Sequence, residues 1–302
     1  TTQTIKAARG EIFDRNGRPL ATNTIGRNVV IDQAFMQEGS LNRVILELTK
    51  IMEAAGEDWI DNLPITDEAP FAFKAGDGYT AAISTLKSTL GLAAFATADD
   101  VVYHLKNRYD LESYEQNGEE IAYTDEEFRT IAGVRYEMER TDFSISNPYI
   151  FASDIKVETV PKIKEASYEL QGVDVVESTI RQYVSGDIAP QIVGQIGKIY
   201  SDQWNAAEKG YDANGVYAII NGQKYRMDDI IGKSGAELAF EEYLKGQDGE
   251  RRIVLNAQNE VVDVEEVREA VPGNTVVLTI DSRLQKVAQD ALERKIISMQ
   301  ND

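Results

Sequence analysis

The chain has 302 residues, 42% of them apolar, which is enough for roughly two folded domains with real cores. Its 31 Lys and Arg stand against 51 Asp and Glu, and the net charge of −20 argues against binding nucleic acid or anionic lipid, both of which need a basic face. Having no cysteine, it has no thiolate catalysis, disulfide or Cys-bound zinc, and no run approaches the roughly 18 apolar residues of a membrane span.

The first signal along the chain is Arg9-Gly10-Glu11-Ile12-Phe13-Asp14-Arg15-Asn16-Gly17-Arg18-Pro19-Leu20-Ala21. Asn16-Gly17 tolerates positive φ at both centre positions of a type I′ turn, and Ile12, Phe13, Leu20 and Ala21 flank it as strand arms, so the stretch predicts a β-hairpin. A plain hairpin leaves Arg9, Asp14 and Arg15 unexplained. Asn28 to Asp32 reads as another strand, after which the apolar period lengthens to that of a helix. Ser40 is placed to cap a helix whose positions Leu41, Val44, Ile45, Leu48 and Met52 recur at helical spacing until Gly56. Thr97-Ala98-Asp99-Asp100 leads into Val101, Val102 and Leu105. Thr124-Asp125-Glu126-Glu127 is a capping box before Phe128, Ile131 and Ala132. Residues 41–142 therefore read as a mostly helical insertion.

β character returns at Phe143, Ile145, Tyr149, Ile150 and Phe151. Pro161 fits only the first turn of a helix, which should run through Ile163, Ala166 and Leu170 to a stop at Gly172. Val173 to Tyr183 is extended and closes with Arg181-Gln182-Tyr183. Ile231-Gly232-Lys233-Ser234-Gly235-Ala236-Glu237 precedes a short amphipathic helix carrying Leu238, Phe240, Tyr243 and Leu244, with Gly246 as its stop. Arg251 to Leu255 and Val261 to Val267 alternate as a hairpin around Asn256 to Glu260. Beyond Pro272-Gly273-Asn274, Thr275 to Asp281 reads as a strand. Ser282-Arg283-Leu284-Gln285 then reads as a capping box, with Leu284, Val287, Ala288, Ala291, Leu292 and Ile296 on one helix face.

Four of these blocks carry a resemblance. The first stretch resembles the R-G-x-I-x-D-R-N-G-x-x-L-A motif that opens the non-catalytic, extracytoplasmic module of class B penicillin-binding proteins. Arg181-x-Tyr183 resembles that family's second block, Arg-x-Tyr-Pro, with Val184 in place of the proline. Gly232-x-Ser234-Gly235-x-Glu237 resembles its third block, with Ala236 where leucine is usual. Leu278-Thr279-Ile280-Asp281-x-x-Leu284-Gln285 is similar to the start of the transpeptidase domain. The resemblance covers residues 7–37 and 143–295.

It implies an α+β fold, an elongated pedestal of twisted strands and hairpins with an inserted helical head. Residues 1–40 and 143–270 would form the pedestal, 41–142 the head, and 271–302 the truncated start of the transpeptidase domain. The implied structural motif is Arg9, Gly10, Asp14, Arg15, Asn16, Gly17, Arg181, Tyr183, Gly232, Ser234, Gly235 and Glu237. The charged members Arg9, Asp14, Arg15, Arg181 and Glu237 are expected to meet in one buried ionic cluster, because unpaired charge beside apolar strands is strongly destabilising. By the same resemblance the whole protein is a D,D-transpeptidase that cross-links peptidoglycan stem peptides through an acyl-enzyme serine and is inhibited by β-lactams. A single-pass anchor preceding Thr1 would hold it on the outer face of the bacterial membrane. This chain would be inactive itself, would hold the catalytic domain in place, and would dock proteins of the elongation or division machinery; a homodimer is left open. No cofactor or metal is expected.

Penicillin-binding transpeptidases use S-x-x-K, S-x-N and K-[ST]-G. All three occur here by letter, as Ser84-Thr85-Leu86-Lys87, Ser40-Leu41-Asn42 and Lys233-Ser234-Gly235. Their order is wrong for catalysis, since Ser40 precedes Ser84, and patterns this short are common by chance. His104, the single histidine, has no accompanying serine pattern and reads as a surface or packing residue. Asp125-Glu126-Glu127 reads as charge at a helix N-terminus in preference to metal ligands. Two other readings stand beside the pedestal. One is a free-standing serine hydrolase using Ser84 and Lys87, the other a glycan-binding module using some of the 14 tyrosines.

Overall fold

The computed structural model describes residues 2–116, 119–184, 186, 188–199, 218–220, 223–225, 229–256 and 261–300. It is a mixed α+β fold whose contacts form two units, Arg27–Val176 and the discontinuous pair Thr1–Gly26 with Glu177–Asp302. Strand β1 (Thr2–Ile5) is followed by a hairpin of β2 (Ile12–Phe13) and β3 (Pro19–Ile31). The hairpin forms, but its turn is not type I′. The Gly17 N–H donates to Asp14 O at 3.0 Å, so Arg15 and Asn16 sit at the centre. Gly17 alone takes positive φ, at 74°. The Asp14 carboxylate causes this by accepting the N–H groups of Asn16 and Arg18 at 2.8 and 2.9 Å, which wraps the turn around one side chain.

In the unit Arg27–Val176, helices α1 (Leu41–Ala55), α2 (Asp77–Thr89) and α3 (Ala98–Tyr109) come first. The hairpin β4 (Ser113–Gln116) and β5 (Glu119–Ala122), helix α4 (Asp125–Arg140), strand β6 (Tyr149–Ala152) and helix α5 (Thr159–Glu165) follow. α1 packs on α4 and α5, and α3 on α4. Val44, Ile45, Leu48 and Met52 of α1 and Phe128 and Ile131 of α4 are fully buried, in one core with Val29 and Ile31 of β3 and Phe151 of β6. The capping box expected at Thr124 forms, and the Thr97 cap of α3 proves to be a box as well. Ser40 stands at the cap of α1, yet its hydroxyl donates to Gln37 O at 2.6 Å and caps nothing. Phe143 and Ile145 fall outside β6, around a bridge between Ser144 and Asn147. α5 ends at Glu165, short of Gly172, because the next amides tighten to bonds three residues back, Ser167 to Lys164 and Glu169 to Ala166. This unit holds 13 Lys and Arg against 28 Asp and Glu, a net charge of −15.

Strand β7 (Val173–Tyr183) pairs with β3. The discontinuous unit continues with helix α6 (Pro190–Val193) and strands β8 (Ile196–Lys198), β9 (Ala218–Ile220), β10 (Gln223–Tyr225) and β11 (Ile230–Gly232). Two short helices come next, α7 (Gly235–Ala239) and α8 (Glu241–Leu244), before strands β12 (Gly249–Leu255), β13 (Val261–Arg268) and β14 (Val276–Val277) and helix α9 (Ser282–Gln300). The hairpin β12–β13 matches expectation, with β1 added on its free side; residues 257–260 of its loop lie outside the described residues. β14 is shorter than the strand expected over Thr275 to Asp281 and runs parallel to β2. Ile12, Leu20, Ala21, Val193, Ala236 and Leu244 form the core here, beside Val276, Leu278 and Ile280.

The helix expected after Glu237 is broken at Phe240, and its inward side is not the apolar one. Leu238 and Tyr243 are 49% and 55% exposed, while Glu237 and Glu241 are buried with Ala236 and Leu244. At α9 the cap is Asp281, whose Oδ1 accepts the Arg283 and Leu284 N–H groups at 3.0 and 3.2 Å. Ser282 is the first helical residue, and its hydroxyl is committed elsewhere.

Candidate functional site

Two carboxylates of the discontinuous unit organise the motif residues. Glu237, fully buried on α7, accepts Arg9 Nε at 2.6 Å on Oε2 and Arg181 Nε at 2.8 Å on Oε1. Arg9 Nη2 also donates to Glu237 O at 2.9 Å and to Glu241 Oε2 at 2.6 Å, so one guanidinium spans α7 and α8. Arg181 Nη1 donates to Gly10 O at 2.7 Å and to Asn23 Oδ1 at 3.3 Å, while its Nη2 is buried without a hydrogen bond. Asn23 Nδ2 in turn donates to Arg9 O at 2.7 Å. Burial alone would lower the Arg9 pKa; the hydrogen bonds and charges of Glu241 and Glu237 outweigh it and raise the value. Glu241 also accepts the Tyr225 hydroxyl at 2.7 Å and the Gly232 N–H at 2.8 Å. Burial and this carboxylate both push the Tyr225 phenol upward.

Gly10 and Gly232 permit backbone to meet backbone. A Cβ on Gly10 would overlap the carbonyl of Asn274, and one on Gly232 the carbonyl of Glu237.

Asp14 is the second organising carboxylate, and it stands apart from the Glu237 cluster. Besides the two turn amides, its Oδ2 accepts the Ser282 hydroxyl at 2.7 Å and the Ser282 N–H at 3.1 Å, with Arg18 Nη1 at 3.4 Å. Burial raises its pKa, and the hydrogen bonds from Arg18, Ser282 and Asn16 more than reverse this, holding the carboxyl well below the usual carboxylate range. Around it, Arg15 N–H donates to Ile280 O at 3.0 Å and Asn16 Nδ2 to Asp281 Oδ2 at 2.9 Å.

The single cluster expected of Arg9, Asp14, Arg15, Arg181 and Glu237 is therefore corrected to two. Asp14 has its oxygens filled by its own turn and by a helix start, and the exposed Arg15 contributes its backbone alone. Tyr183 lies beside the first group, its hydroxyl accepting the Ile196 N–H at 3.0 Å. Ser234 precedes α7 without a side-chain cap, and Gly235 begins that helix in the left-handed region. Glu241, Asn23 and Tyr225 were missed by sequence reasoning, which read Asp281 and Ser282 only as the end of a strand and a helix cap. Glu241 had a signal, since it lies four residues after Glu237 and so shares its helix side.

The catalytic look-alikes are dispersed. Ser84 is exposed on α2, and Lys87 Nζ donates to Ala94 O at 2.8 Å while lying over the Phe73 ring. Asn42 bridges Tyr109 O and Arg135 Nη1. Lys233-Ser234-Gly235 links β11 to α7 and is not a strand edge. His104 is exposed on α3 against the ring of Tyr103. Glu127 serves the Thr124 cap. Among the described residues no group of three or more His, Cys, Asp or Glu is placed to hold a metal, and no helix is long and apolar enough to cross a membrane. The arrangement binds segments of its own chain to one another with paired charges and hydrogen bonds.

Comparison with known proteins gives a consistent result. The family model described as penicillin-binding protein dimerisation domain matches residues 4–278. Penicillin-binding protein 2A of Bacillus subtilis strain 168 is 24% identical over 298 residues, which is 95% of this chain and 38% of that protein. Peptidoglycan D,D-transpeptidase MrdA of Haemophilus influenzae is 27% identical over 176 residues, 54% of this chain and 26% of the relative. The chain thus spans well under half the length of these relatives. Among solved structures, penicillin-binding protein 2B from Streptococcus pneumoniae strain 5204 is similar with a TM-score of 0.59 at 22% identity, covering 100% of this chain and 44% of that one. A complex between penicillin-binding protein 2 and MreC from Helicobacter pylori gives 0.51 at 17% identity, covering 97% and 38%.

Proposed function

Because the chain belongs to the penicillin-binding protein dimerisation-domain family, we propose that it is the non-catalytic pedestal of a membrane-anchored peptidoglycan D,D-transpeptidase. Its task is to hold the catalytic domain at a set height above the membrane, where the active site meets stem peptides, and to dock proteins of the cell-wall synthesis machinery. Relatives named as penicillin-binding proteins and D,D-transpeptidases support the first part. A similar chain solved in complex with MreC supports the second.

The observation that carries the reading is the Glu237 cluster. Its charges tie the segments around Arg9, Arg181 and α7 to one another, as a scaffold requires. Incubation with a fluorescent penicillin, followed by mass spectrometry, tests it. The expected result is no adduct; a stoichiometric adduct on Ser84 would replace the pedestal with a serine hydrolase.

A further inference from the structure

We infer that the tip of the first hairpin, Asp14 to Arg18, is a socket for the dipeptide Asp281-Ser282, so that one buried carboxylate fixes both the turn and the start of α9. Asp14, Asn16 and Arg18 act through their side chains and Arg15 through its N–H. Asp14 divides its oxygens between them, Oδ1 accepting the turn amides of Asn16 and Arg18 and Oδ2 accepting both the hydroxyl and the N–H of Ser282. Asn16 Nδ2 holds Asp281 Oδ2 at 2.9 Å, Arg18 Nη1 lies 3.5 Å from Asp281 Oδ1, and the Arg15 N–H closes on Ile280 O at 3.0 Å. Asp281 is in turn the side chain that caps α9 through Arg283 and Leu284.

The chain around the socket is continuous with it. β14 pairs in parallel with β2, Val276 opposite Ile12 and Val277 opposite Phe13, and the Leu278 N–H donates to Phe13 O at 2.8 Å. The segment that enters α9 is therefore guided along the hairpin arm before it meets the tip. A solvated turn aspartate would cap its own amides and leave Oδ2 to water; this one is fully buried. The socket makes Asp14 a positioning residue for α9 and for any domain that α9 carries. This deepens the pedestal reading, and rests on it only for the identity of that domain.

Amide hydrogen exchange on this chain, with Asp14→Asn and Ser282→Ala, tests the socket. Asp14→Asn keeps the side-chain shape and removes the charge. Exchange at Ser282, Arg283 and Leu284 should then rise at least about tenfold, together with Asn16 and Arg18, while the β1–β12–β13 sheet is unchanged. Ser282→Ala, made at the other end, should speed exchange at Asn16 and Arg18. Faster exchange confined to the mutated side in both variants would overturn the inference and leave Asp14 a local turn cap. Should Asp14→Asn fail to fold, the response of Asn16 and Arg18 to Ser282→Ala decides, acceleration supporting the socket and wild-type exchange refuting it. Neither readout involves penicillin labelling, so the socket and the pedestal reading fail separately.

Discussion

Glu237, fully buried, faces two guanidinium groups, and its removal leaves the buried Arg181 guanidinium without its carboxylate, while Arg9 keeps Glu241. Glu237→Ala should destabilise the chain by about 3 to 5 kcal/mol in urea denaturation. Arg15→Ala, at an exposed side chain outside both clusters, should stay within about 0.5 kcal/mol of wild type. Asp14 has a pH signature with a definite sign. Its pKa is depressed on folding, so the stability it lends is complete above the unfolded value of about 4 and is lost as pH falls from there towards the lower folded value. Thermal melts below pH about 4 should therefore fall less steeply for Asp14→Asn than for wild type, and parallel slopes would remove Asp14 from the acid response. Val184, where the family pattern has proline, donates its N–H to Leu20 O at 3.1 Å, a bond that proline has no hydrogen to make.

Helix caps separate two kinds of legibility. Thr124 and Glu127 satisfy each other across three residues, so that box could be read from four consecutive letters and it forms. Thr124→Ala should cost about 1 kcal/mol in denaturant titration, whereas Ser40→Ala, which removes no cap, should cost less than half of that. Ser282 shows where such reading stops. Its letters suit a capping box, but Asp14, remote in sequence, claims the hydroxyl and Asp281 takes over the cap. The α7–α8 pair is the same lesson in reverse. Apolar spacing pointed inward along Leu238, Phe240, Tyr243 and Leu244; Leu244 is buried as expected, yet the break at Phe240 turns Glu237 and Glu241 in beside it, because two arginines from distant segments lower the free energy of burying them. α4 offers a comparable pin in the other unit. Arg129, almost fully buried, holds Asp61 at 2.7 Å and Asp67 at 2.8 Å and reaches Thr66 O, so Arg129→Ala should loosen that loop and cost on the order of 3 kcal/mol.

Taken whole, the chain exposes two surfaces of opposite character. One is the side of α9 on which Leu284, Val287 and Leu292 are 69%, 61% and 62% exposed. Apolar area of that kind tends to be covered by another molecule, so sedimentation of this chain should show concentration-dependent association that Leu284→Glu with Leu292→Glu lacks. The other is the acidic unit Arg27–Val176, with its net charge of −15. Its consequence lies in traffic more than in affinity. A cationic segment approaching such a surface is drawn in from beyond contact range, and a polyanion is turned away before it arrives. Above about 0.1 M salt the field reaches only some 10 Å, so added salt should slow the arrival of a basic partner while leaving its residence time nearly unchanged. Ionic strength would then govern how often this surface is visited, and the contacts themselves how long each visit lasts.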